Sequence, residues 1–177
     1  MFIRYLEDTA VEIIFNDNIL VMEGNKSYDN AKVITNSQEN KVKSKTARVL
    51  SWPGEYEIED WFFNGIESEN ESVIFVVLID HMHVMHPGKS KELNAEILDK
   101  LDNIDILILP VDDDYFSVEE ATAYVQKVEP KMLIPVGNQA SSFLKSLNND
   151  NIQQTTKLKV KKSTLGLNKM EIVDLSS

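Results

Sequence analysis

The chain has 177 residues, enough to bury about two-thirds of its unfolded surface without a covalent staple. It contains no cysteine, which excludes disulfides, thiolate metal sites and a cysteine nucleophile. Its net charge of −11, from 29 acidic and 18 basic side chains, is the wrong sign for a nucleic-acid binder, which needs a basic face to release counterions. The opening Met1 to Ala10 has neither the basic nor the apolar region of a signal peptide. The longest apolar run, Val73 to Ile79, is far shorter than the roughly 20 residues of a membrane helix. These features predict a single domain over residues 1–177, in the cytoplasm, with no membrane and no nucleic acid as partner.

The first half reads as short strands. Phe2 to Leu6, Val11 to Phe15 and Ile19 to Met22 are separated by polar turns such as Asn16-Asp17-Asn18. Lys32 to Thr35 and Ala47 to Leu50 follow, and Trp52-Pro53-Gly54 signals a turn. Glu55 to Ile58 and Trp61 to Ile66 form one predicted hairpin. Ser72 to Ile79 and Met82 to His86 form another, turning at Asp80-His81. The acidic stretch from Glu55 to Glu71 is assigned to solvated hairpin faces, and Trp52 and Trp61 to hairpin packing.

The second half alternates helix and strand. Ser90 to Leu101 carries apolar residues at 93, 97, 98 and 101, one helical face. Ile104 to Pro110 is a continuous apolar run, as in a buried strand. Ser117-Val-Glu-Glu120 is a capping box that opens a helix running to Val128, and Glu129-Pro130 ends it. Lys131 to Val136 is strand-like, Gln139 to Leu147 is a predicted helix, and Asn148 to Asn151 is a polar break. Strands over Lys157 to Lys161 and Lys169 to Leu175 finish the chain. Strands first, then strands alternating with helices, favour a mixed α/β sandwich over a doubly wound parallel sheet. The six glycines are isolated, so no phosphate-binding glycine loop is present.

Three clusters could carry chemistry. His81-Met-His-Val-Met-His86 holds all three histidines. Read as a turn and a strand, period two puts His81 and His83 on one face and His86 on the other. A metal site at His81, His83 and His86 is the alternative. Asp112-Asp-Asp114 follows a buried strand at an edge where α/β proteins bind ligands, and oxygen clusters suit Mg²⁺ or Ca²⁺. Its plainer reading is an acidic loop beside a helix N-terminus. The basic run Lys157-Leu-Lys-Val-Lys-Lys162 alternates with apolar residues, as a half-buried strand does. Ser37, Ser51 and Ser163 have no nucleophile signature.

At Trp52-Pro-Gly-Glu-Tyr-Glu-Ile58 the chain resembles short members of the metallo-β-lactamase superfamily. The resemblance continues through Ile106 to Val111, Glu129-Pro-Lys131, Ile134-Pro135 and Lys157 to Leu165, in the family's order and over nearly the full length. It implies an αββα sandwich, two facing sheets with helices outside. It also implies a zinc-dependent hydrolase site, but the ligand positions differ here. The family's Gly-His becomes Glu7-Asp8. Its His-x-His-x-Asp-His loop aligns to Gln38, Asn40, Val42 and Lys43. His-Leu-Gly-Asp becomes His86-Pro-Gly-Lys89, and the final histidine becomes Gly137 or Asn138.

Zinc needs deprotonated His, carboxylate or Cys donors. A lysine ligand must lose a proton held at a pKa of about 10.4, which at pH 7 costs roughly 4.6 kcal/mol. The vestigial cleft is therefore expected at Asp8, Gln38, Asn40, Lys43, His86, Lys89, Asp112 and Gly137, with Lys43 or Lys89 paired to Asp8, Glu39 or an acid of 112–114. The first functional reading is a metal-free binding or structural protein. The second is a zinc hydrolase rearranged around His81, His83, His86 and Asp112. The third is a homo-oligomer assembled through an edge strand or hairpin.

Overall fold

The turns Asn16-Asp17 and Asp80-His81 have φ between 49° and 60° at all four residues. This paired left-handed geometry matches the twist of the strands it joins, so each closes a two-residue hairpin where the polar breaks predict one. The computed structural model describes residues 1–38, 41–68, 71–101, 103–166 and 169–175.

The first half holds β1 (Phe2–Glu7), β2 (Ala10–Phe15), β3 (Asn18–Met22), β4 (Val33–Thr35) and β5 (Arg48–Leu50), then β6 (Gly54–Ile58), β7 (Trp61–Glu67), β8 (Val73–Ile79) and β9 (Met82–His86). The second half holds α1 (Ala95–Lys100), β10 (Ile106–Pro110), α2 (Val118–Val128), β11 (Met132–Val136) and α3 (Ala140–Ser146), then β12 (Ile152–Gln154), β13 (Leu158–Lys159) and β14 (Glu171–Asp174).

One sheet runs β13-β1-β2-β3-β4-β5 and the other β12-β14-β11-β10-β9-β8-β7-β6. Strands β9, β10, β11 and β14 pair in parallel, so their carboxyl ends share one rim. The sheets face each other across a core that includes Ile13, Leu20, Phe63, Phe75, Val84 and Ile108. Trp61 is buried there, edge-on to Phe63 at 6.3 Å, whereas Trp52 is 54% exposed rather than packed in its hairpin. Burial of each large apolar side chain contributes roughly 1.5–3 kcal/mol.

Helices α1, α2 and α3 cover the outer face of the second sheet, where Ile97, Tyr124 and Phe143 meet Val76, Leu107 and Leu109. Over the first sheet the outer layer is made by loops: Ala31 and Val42 cover Val21 and Ile34. The two facing sheets of the expected mixed α/β sandwich are present, and its described helices lie on one side.

Two elements differ from the sequence expectation. Helix α1 starts at Ala95, not Ser90, because the Asn94 side chain accepts from the Ile97 amide and caps it there. β12 falls between the polar break at Asn148 to Asn151 and the strand expected from Lys157, where no strand is expected; among the described residues it pairs with β14 alone, at the edge of its sheet.

Candidate functional site at the strand ends

The carboxyl ends of β10 and β11 meet the β1–β2 turn around an open cleft of about 490 Å³. Its lining includes Asp8, Glu23, Lys41, Lys89, Asp112 and Tyr115. This is the rim where parallel strands leave backbone groups for a ligand.

Beneath it is a buried polar network. His86 ends β9 on the inter-sheet side, opposite Phe75. Its Nδ1 accepts from the Gly88 amide at 3.1 Å, so the proton is on Nε2, which donates to the Thr9 carbonyl at 3.2 Å. Burial pulls the pKa of His86 down, against smaller upward effects of Glu23 and Thr9. Glu23 leaves β3 with φ of 53° and accepts from the Ser37 amide (2.9 Å), the Ser37 hydroxyl (2.6 Å) and the Tyr115 hydroxyl (3.2 Å). Burial and then the Glu23 carboxylate push the Tyr115 phenol up, so it stays a donor.

The acids nearer solvent are held by amides. Asp8 accepts from Asn25 at 2.8 Å and Asp112 from the Asn138 backbone at 3.1 Å. Asp113 accepts from the Gln139 side chain. Lys89 lies with its ammonium 4.9 Å from the Tyr115 ring centroid.

Asp8, Lys89, Asp112 and Gly137 line this cleft, with His86 below it. Gln38 lines an adjoining pocket of about 330 Å³ that shares Lys89, and Asn40 and Glu39 lie outside the described residues. Lys43 is a correction: it is exposed and Lys41 lines the cleft instead, while Val42 is buried in the outer loop layer.

The expected lysine–carboxylate pair is also corrected. Among the described residues Lys89 forms no ion pair, and an aromatic face holds its charge. Lys89→Ala is accordingly expected to cost at most about 1 kcal/mol, the scale of a half-exposed cation–π contact. A urea-denaturation loss of roughly 3–5 kcal/mol would instead restore the buried pair.

The rearranged histidine site fails on geometry. His81 sits in the turn and His86 at the far end of β9, about 16 Å along a strand. His83 pairs with Leu78 on the outer face, beside Lys100. Asp112 belongs to the His86 end, away from the other two.

A sequence model of the Beta-lactamase superfamily domain matches residues 20–137. The chain belongs to this superfamily. It is similar to a protein of Thermotoga maritima described as a candidate Zn-dependent hydrolase of the metallo-β-lactamase superfamily, with 20% identity, TM-score 0.76 and 98% of each chain covered. YhfI, a metallo-β-lactamase fold protein of Bacillus subtilis, is 8% identical with TM-score 0.62, over 98% of this chain and 95% of its own. Igni18, a metallo hydrolase of Ignicoccus hospitalis, is 9% identical with TM-score 0.60, over 82% and 89%. No curated protein matches the chain.

The fold family implies zinc. No group of three His, Asp or Glu among the described residues is arranged to hold a metal. His86 already uses both ring nitrogens, and the oxygens of Glu23 are engaged by Ser37 and Tyr115.

The buried His86 has a pH consequence. Its folded pKa lies below the unfolded value of about 6.5, so the unfolded chain takes up the proton first as pH falls. Stability due to this group is complete above about pH 6.5 and is lost as pH falls towards the folded pKa. The unfolding free energy should drop between pH 7 and 5, and His86→Gln should flatten that drop. An unchanged slope in the variant would contradict it.

Proposed function

We propose that this is a non-catalytic binding or structural protein on a hydrolase fold, and that it works without metal. The observation that supports this most is the state of His86. A metal could take either ring nitrogen only by displacing the Thr9 carbonyl or the Gly88 amide. Lys41 and Lys89 add two ammonium groups to the cleft wall beside the carboxylates, and a protonated lysine has no lone pair to give a metal. The cleft suits a small polar molecule, with carboxylates, ammonium groups and two tyrosines, Tyr5 and Tyr115, at its wall.

No described helix is long and apolar enough to cross a membrane. A cytoplasmic location is part of the proposal, since a chain without cysteine suits a reducing compartment.

A ligand that binds only the native state raises its stability, so removing a native metal must lower the melting temperature. The purified protein is expected to melt at the same temperature with and without a chelator. A fall of several degrees on chelation would overturn the proposal and favour a zinc hydrolase.

A further inference from the structure

We propose that copies of this chain associate head to tail, the Lys157–Lys161 edge of one copy adding to the β6 edge of the next. β6 closes one sheet and β13 the other. β5 runs directly into β6 and β12 into β13, so the two edges lie on opposite flanks of the sandwich. Each edge carries one sign of charge at the strand period. On β6, Glu55 and Glu57 are exposed, while Tyr56 and Ile58 pack against the inter-sheet core. On the opposite flank Lys157, Lys159 and Lys161 are exposed, while Leu158 and Val160 are buried in the same core. Lys161 keeps extended backbone, with φ −133° and ψ 143°, and the Val160 amide donates to the Met1 carbonyl at 3.0 Å, so the edge extends past β13.

When two such edges pair, apolar residues fall on one face and charges on the other. Glutamates then lie opposite lysines, which stabilises a cross-strand pair, whereas pairing either edge with its own kind sets like charges together. The complementary contact is therefore heterologous and propagates from copy to copy until it closes a ring or continues as a chain. Among the described residues no ion pair satisfies either row within one molecule; Lys157 and Lys159 lie over the Phe2 ring, at 4.6 and 5.7 Å. The surface beside β6 offers a lysine a similar setting. A groove of about 540 Å³ there is lined by Glu55, Glu57 and Phe62, and Phe62 is 52% exposed. At physiological ionic strength charges beyond about 8 Å are screened, which mutes the repulsion of two chains of net charge −11 but spares contacting pairs.

The test is sedimentation across a concentration series in physiological salt. The wild type should show an average mass rising above the 20.2 kDa of one chain. Glu55→Lys with Glu57→Lys should hold the mass at the monomer value, and so should Lys157→Glu with Lys159→Glu. An equimolar mixture of the two variants should associate again, because each then meets its opposite charge. Circular dichroism confirms that each variant is folded, and either variant alone tests its own edge. A wild type that stays monomeric, a folded variant that associates like the wild type, or a mixture of folded variants that stays monomeric would overturn the proposal.

Discussion

Gly88→Ala is expected to destabilise the protein by about 3–5 kcal/mol, from left-handed strain plus overpacking. Gly88 has φ of +57°, and a Cβ added there would stand 2.0 Å from the Ser37 Cβ and 2.4 Å from its Oγ. Ser37 has little room to retreat, since its amide and its hydroxyl both donate to Glu23. A backbone shift at Gly88 would also break its bond to His86 Nδ1 and leave a fully buried imidazole nitrogen without a donor. Gly54→Ala is the control. Its φ is also positive, at +143°, but the first atom a Cβ would meet is 3.4 Å away. Urea-denaturation midpoints should separate the two, and equal losses would show that packing against Ser37 is not the cause.

Asp105→Ala is expected to cost about 2–4 kcal/mol, because a buried carboxylate with three donors is removed. Asp105 is 1% exposed and accepts from Lys131 and Lys162, each at 2.7 Å, and from the His83 amide at 2.9 Å. It joins the start of β10 to the start of β11 and to the turn after β13. The two lysines are 43% and 47% exposed and can be re-solvated, so the loss falls below that of a wholly buried pair. Burial pushes the carboxyl pKa up, but the two lysines and the His83 amide outweigh it and hold the net value below the usual range. That stability is present above the unfolded pKa of about 3.9 and is lost as pH falls through the lower folded value. The wild type should therefore lose more stability than Asp105→Asn on acidification below about pH 4. Parallel acid profiles of the two proteins would contradict this.

Local chemistry made much of the fold legible. The turns at Asn16-Asp17 and Asp80-His81 and the capping box of Ser117 and Glu120 each depend on neighbours a few residues away. The apolar run into β10 announced a strand buried on both faces. β12 did not show, because an edge strand with one apolar residue carries no period.

Of the candidate cleft residues, Asp8, Lys89, Asp112 and Gly137 follow the ends of strands, and these four share one lining. The cleft was illegible in the loop after β4, where no periodicity fixes register and Lys43 displaced Lys41. The Glu23–Ser37–Tyr115 network left no local trace, since Tyr115 and Glu23 are 92 residues apart in sequence. The one available signal was an acid placed directly after an apolar strand and before Gly24.

Elemental analysis of the folded protein, prepared in zinc-supplemented medium and dialysed without chelator, tests the central claim most directly. A cleft whose histidine and buried glutamate are already engaged should retain zinc far below stoichiometry, well under about one ion per chain. Retention of one or two zinc ions per chain, released together with a fall in melting temperature, would contradict the account.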